Sequence, residues 1–183
     1  YEYAKYFDEN LEIDYAFGDI NTVLPIPMIT KSRPVSDANQ NNILLNLDKS
    51  RHFISVNDEI PFDEKNDLMI GRCAVYQEHR YKFFDKYFNH PLCDLGQVNT
   101  RGGNQEWLKP KISIPKHLKY KFILSLEGND VATNLKWIMS SNSLTVMPDS
   151  KIESWYMEGT LIPGEHYISV SQDYGNLEEK LSY

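Results

Sequence analysis

A chain of 183 residues with 41% hydrophobic and 13% aromatic content has the material for a packed core, which excludes a disordered polymer. A net charge of -7, from 26 acidic against 19 basic residues, excludes a general nucleic-acid binder, because neutralising phosphates takes clustered Lys and Arg. No apolar run approaches the ~18 residues of a membrane span, and two cysteines, Cys73 and Cys93, make no disulfide framework and fit a reducing compartment.

The opening, YEYAKYF, has no initiator Met and no signal-like leader, so a segment of a longer protein is expected. Phe17 to Pro34, FGDINTVLPIPMITKSRP, mixes short extended pieces with Pro25, Pro27 and Pro34, and VSDANQNN after it reads as a polar loop. DLMIGR (67–72) predicts a short buried strand. In YQEHRYKFFDKYFNH, residues Tyr76, Arg80, Phe83, Phe84, Tyr87 and Phe88 fall near helical spacing. PLCDLG predicts a strand and TRGGNQEWLKPK a loop with a Gly pair. SIPKHLKYK predicts a helix capped by Ser113, with Pro115 in its first turn.

Beyond that point the pattern alternates: strand FILSLE, helix VATNLKWIMSS, strand SLTVMP, helix IESWYMEG, strand HYISVS and a helical start at NLEEKLSY. Alternation of this kind predicts an α/β unit of Rossmann type, a parallel sheet flanked by helices, with its last helix cut short.

Ligands of such sheets bind at the carboxyl ends of the strands, and LEGNDVATNLK stands at one of them. Gly128 permits a sharp turn, and exposed amides at a helix start attract an anion. Asn129, Asp130 and Thr133 can cap that helix or reach a ligand, and Lys136 adds a cation one turn in. The Glu127 carboxylate suits a ribose or sugar hydroxyl better than a phosphate. A plain strand-to-helix loop with a polar cap fits the same pattern. Neither a GxGxxG nor a Walker loop is present, which leaves dinucleotide and P-loop chemistry without their fingerprints.

The run KYKFILSLEGNDVATNLKWIMSSNSLTVMP, followed by ESWYMEGTLIPGEHYISV and preceded by GRCAVYQEHR and FGDINTVLPIPMITKSRP, resembles the bacterial lipopolysaccharide branch of glycosyltransferase family 90. That family also holds the CAP10 proteins and the eukaryotic protein O-glucosyltransferases. The resemblance runs from about Tyr15 onward. It implies a two-lobed GT-B fold, with 1–66 a partial first lobe on the acceptor side and 67–183 the donor lobe. It also implies inverting transfer of a hexose from a UDP-sugar with neither metal nor cofactor. On its own evidence the sequence lacks an Asp-x-Asp metal motif, and HPLC (His90 to Cys93) is an isolated pair.

Carried over residue by residue, the resemblance assigns Arg72 and Arg80 to the donor diphosphate; the family's Gly follows the first Arg, whereas here Gly71 precedes it. Guanidinium groups there would stabilise charge developing on the leaving group. Asn134 stands where the eukaryotic relatives place an Arg, two positions before Lys136. The family's base matches Asp19, with Asp14 a rival and a Gly-Asp turn the plain alternative. KSRP offers Lys31 and Arg33 to an anionic acceptor, the lipopolysaccharide core, or to a surface ion pair. Trp137 is read as packing, His166 as a buried and satisfied histidine, and Glu158 is left open. A cytoplasmic protein peripheral to the inner face of the membrane, with no nucleic-acid partner, is expected. The second reading is a non-catalytic nucleotide- or carbohydrate-binding module.

Overall fold

The computed structural model describes residues 2–182. Its centre is a five-stranded parallel sheet built from Asn66–Cys73 (β4), Cys93–Gln97 (β5), Tyr120–Leu124 (β6), Leu144–Met147 (β7) and Ile168–Ser169 (β9), in the order β5-β4-β6-β7-β9. Strand alternation divides the apolar residues between its two faces. Met69, Phe122 and Leu124 enter one core with Leu95 and Val146, while Ile70 and Ile123 enter another with Leu118, Trp137 and Ile138. Burial on both faces is what a parallel sheet demands, and it explains why its strands read as continuous apolar runs.

The longest helix is Glu78–Tyr87 (α2). Phe83, Phe84 and Tyr87 form its buried face against the larger core, with Glu78 in its first turn and Lys86 in its last, as the helix dipole favours. Leu177–Leu181 (α5) adds both its leucines to that core, and Tyr87 Oη donates to the Tyr174 carbonyl beside it. Two further helices are single turns, Lys49–His52 (α1) and Ile114–His117 (α3). Ser113 occupies the cap position of α3 with Pro115 in the first turn, but its side chain makes no capping bond.

The first third is extended, as its prolines imply. Met28–Thr30 (β1) pairs in parallel with Asn42–Leu44 (β3). Buried Asn42 accepts from the Leu24 amide and donates to the Thr22 carbonyl, pinning the proline-rich loop. Ser32–Pro34 (β2) runs antiparallel to Ile152–Ser154 (β8), and Arg33 Nε lies 2.8 Å from Glu153 Oε1 across that pair. No helix of the described residues is long and apolar enough to cross a membrane.

Two predicted helices are corrected. VATNLKWIMSS is helical only over Leu135–Met139 (α4), residues 131–134 forming a turn. IESWYMEG is strand β8 followed by a left-handed Met157 and a 3-10 turn at Glu158–Thr160. Pairing with β2, 120 residues distant, overrides the local helical spacing there. His166 is exposed instead of buried; its Nδ1 accepts from the Ile162 amide. Cys73 and Cys93 are free thiols, and burial pushes Cys93 up to about 12.

Candidate functional site

Chain order reverses across the sheet at β4: the first crossover leads outward to β5, the next returns past β4 to β6. A crevice is expected at the carboxyl ends flanking such a reversal. A cleft of about 480 Å³ lies there, walled by Gly71 to Ala74 from the end of β4, Leu124 and Leu126 from the end of β6, and Thr133, Asn134 and Trp137 around α4. Arg51, Arg72, Arg80 and Lys111 also line it, and no Asp or Glu does. Arg51 and Arg72 are paired with Asp48 and Asp94, but Arg80 and Lys111 make no such pair among the described residues, and that surplus of positive charge in an acid-free lining favours an anionic ligand.

Their commitments differ. Arg72 donates through Nη1 to the Gly71 and Asp94 carbonyls, at 2.9 and 2.7 Å, and through Nη2 to Asp94 Oδ1 at 2.9 Å, leaving its buried Nε without a partner. Gly96 makes this possible, because a Cβ there would sit 2.9 Å from the Arg72 Cδ and Nε. Arg80 donates to the Glu127, Ala74 and Leu126 carbonyls at 2.7 to 2.8 Å, strapping the ends of β4 and β6 together. None of these acceptors is an acid, so its charge stays in the cleft. Arg51 is 59% exposed, paired with Asp48 at 3.0 Å and donating to Thr133 Oγ1 at 3.3 Å. Lys111 is exposed and lines the cleft.

Outside the cleft lining, the EGND turn meets the first third of the chain. Lys31 Nζ bridges Asp19 Oδ1 at 2.7 Å and Asp130 Oδ2 at 2.9 Å. Asn129 donates to Asp19 Oδ2, and its own carbonyl accepts from Asn21. The Lys31 hydrogen bond holds the Asp19 carboxyl below its usual range against the opposing effect of burial, with Asn129 and Arg51 adding to it. Burial lowers the Lys31 ammonium, but Asp19 and Asp130 outweigh it and raise the group overall. Asp19 is a carboxylate with an open side, 38% exposed, ionised at neutral pH.

The other sequence-predicted residues take different places. Glu127 Oε1 accepts from the Lys151 and Ile152 amides, so that oxygen binds backbone and no hydroxyl. Burial raises its carboxyl despite those amides. Gly128 does not have a left-handed φ; its amide reaches the Asp130 carbonyl, and a Cβ would stand 3.4 Å from Arg80 Nη2. Asp130 faces Lys31 and Asn129 joins Asp19 and Gln77, so neither caps the short α4. Asn134 bonds the Leu124 carbonyl and Ser125 while lining the cleft. Lys136 turns away from the cleft into an ion pair with Glu158, both side chains nearly fully buried. Arg33 is committed to Glu153 and the Asn42 carbonyl. Arg51 and Lys111 were not anticipated: each is one of several neighbouring basic residues, with Lys49 and His52 beside the first and Lys109 beside the second, and nothing local singles it out. Among the described residues no group of three His, Cys, Asp or Glu gathers as a metal site.

The family model for glycosyl transferase family 90 matches residues 76–183. The chain is also 42% identical over 179 residues to the O-glucosyltransferase LpsA of Dichelobacter nodosus, a match that covers 98% of this chain and 56% of that protein. The chain thus spans little more than half the length of that relative.

Proposed function

The chain belongs to glycosyl transferase family 90, and on that premise we propose that it carries the donor half of an inverting, metal-independent transferase that moves a hexose from a UDP-sugar to the core oligosaccharide of a lipopolysaccharide. The observation that supports this is the acid-free cationic cleft at the chain reversal, one of whose cations, Arg51, lies near enough to Asp19 to help depress its carboxyl. The arrangement fits a GT-B-like enzyme, in which residues 1–66 bring the acceptor side to a donor lobe of residues 67–183. The relative's name, O-glucosyltransferase, agrees with transfer of a hexose to a hydroxyl.

In this reading the diphosphate occupies the cleft. Asp19 takes the proton of the acceptor hydroxyl as that oxygen attacks the anomeric carbon, and the bond to the β-phosphate oxygen breaks on the opposite face. The departing UDP keeps the electron pair, and Arg51, Lys111 and Arg80 face the charge that develops, with Arg72, paired to Asp94, in the cleft wall. Cations thereby do the work of a divalent ion. Lys31 positions and ionises Asp19. The acceptor sits on the cytoplasmic face of the membrane, where such cores are assembled.

Calorimetric titration of UDP tests the assignment. Arg51→Ala is expected to weaken UDP about tenfold, the scale of one charge-assisted hydrogen bond, without moving the melting temperature. Asp19→Asn is expected to bind UDP as the wild type does while transfer falls about 10²–10⁴-fold. Equal UDP affinity in wild type and Arg51→Ala would remove the diphosphate from this cleft.

A further inference from the structure

Helix α1 presents two consecutive residues to two different cavities: Arg51 to the cationic cleft and His52 to a neighbouring pocket of about 230 Å³. Helix α4 does likewise, with Trp137 on the cleft and Lys136 and Met139 on the pocket. Aromatic rings wall the second cavity. Trp155 packs against Phe53 with centroids 5.1 Å apart and against Tyr156 at 5.6 Å.

Three polar atoms at this pocket are buried without a partner: both ring nitrogens of His52, a side chain 1% exposed, and Trp155 Nε1. Unpaired buried polar groups cost roughly 1–3 kcal/mol each, and a ligand hydroxyl that reached these atoms would recover part of that cost. Burial, reinforced by Lys136, Lys31 and Arg51, holds the His52 imidazole below its usual range. A neutral ring offers one donor and one acceptor. The one charged group on the wall, Lys136, is already neutralised by Glu158.

These features select the ligand. An anion would find no free charge here, and an alkyl chain would leave His52 and the indole N–H unpaired. A pyranose fits both requirements: its C–H face lies on an aromatic ring and its hydroxyls donate and accept. The volume falls below the ~300–1,000 Å³ typical of larger ligands, which suits one ring.

We infer that the pocket formed by His52, Phe53, Lys136, Met139, Trp155 and Tyr156 binds one neutral pyranose ring of the acceptor saccharide, beside the cationic cleft. The word acceptor rests on the donor reading of that cleft; the sugar site itself does not.

Saturation-transfer NMR and titration with methyl α- and β-D-glucopyranoside and methyl β-D-galactopyranoside provide the test, run with and without UDP. At least one glycoside is expected to bind in the millimolar range, and Trp155→Ala to weaken it about tenfold. Phe53→Ala, at a side chain 62% exposed and thus safe for folding, is expected to weaken it several-fold. Both variants should keep wild-type affinity for UDP. No saturable glycoside binding, or binding unchanged in both variants, overturns the site. Glycoside binding that UDP-glucose displaces and UDP does not would make this the donor's sugar pocket and overturn the acceptor assignment. Glycoside binding in a protein that fails to bind UDP supports the sugar site and counts against the donor reading alone.

Discussion

Asp19 follows a left-handed Gly18, φ 90°, in a turn tethered by Lys31 and Asn129 at its carboxylate and by the Ser32 hydroxyl at Ile20. A general base must be unprotonated to act, and this carboxyl is depressed chiefly by the Lys31 hydrogen bond. Below its folded pKa activity is lost, and above it activity is present, so the acid limb of kcat/KM is expected under the ordinary Asp value of about 3.9. Lys31→Met removes the cation and leaves Asp19 near the Asp130 carboxylate. The limb should move to higher pH, in the window above about 4, with circular dichroism confirming that the variant remains folded there. An identical limb in both proteins would separate Lys31 from the base. The EGND break at a strand end allowed Asn129 and Asp130 to be named as candidates from the pattern, whereas Asp19 and Lys31 were named through the family resemblance, since Gly-Asp by itself reads as a turn. That they meet was not legible, since 110 residues separate Asp19 from Asn129. Arg51 was invisible for the same reason: its importance comes from where α1 lands, and no local pattern encodes that.

Elements with strong local periodicity were the legible ones. β4, β6 and β7 are apolar runs bounded by polar breaks, and α2 shows its aromatic face directly in the spacing. The failures cluster where a distant partner decides the conformation. β8 takes its form from β2, and α4 is confined to five residues between the EGND turn and the Ser140 break. Between these two short elements lies Lys136 paired with Glu158, whose carboxylate also accepts from the Ser154 amide at 2.6 Å and from its hydroxyl. Burial lowers the Lys136 ammonium, and Glu158 only partly opposes that. Removing one member leaves an uncompensated buried charge, so Lys136→Met is expected to destabilise the fold by about 3–5 kcal/mol. A Lys136→Met/Glu158→Met double variant should recover part of that loss, because the stranded carboxylate is gone. Urea titrations of the single and double variants measure the coupling. Simple additivity of the Lys136→Met and Glu158→Met losses would show that the pair does not join α4 to β8.

The sheet is fastened at one end and open at the other. At the amino ends, Lys65 donates to the Leu118 carbonyl just before β6 and pairs with Asp58 at 2.7 Å. Asp58 in turn accepts from the Asn142 amide just before β7, and the Asn142 side chain donates to the Asp58 and Ile60 carbonyls. The segment leading into β4 is thereby locked to both of the next strands, through an ion pair that is 0% and 2% exposed. Opposite it, the carboxyl ends are held by the Arg80 strap and otherwise shape the cleft. A rigid base leaves the loops of the upper end to carry the chemistry. Burial alone would raise the Asp58 carboxyl, but Lys65 and the two amides outweigh it and the group is depressed overall. A depressed carboxyl contributes stability in full above its unfolded value of about 3.9 and loses it as pH falls through the folded value. Asp58→Asn, which strands Lys65, is expected to cost about 3–5 kcal/mol at pH 7, and the gap from wild type should shrink as pH drops below about 4. Chemical unfolding of both proteins at pH 7, 5, 4 and 3 reads this out. A gap that stays constant over that range would mean that the lock acts through shape alone, and that the ionised pair contributes nothing to holding the three central strands in register beneath the cleft.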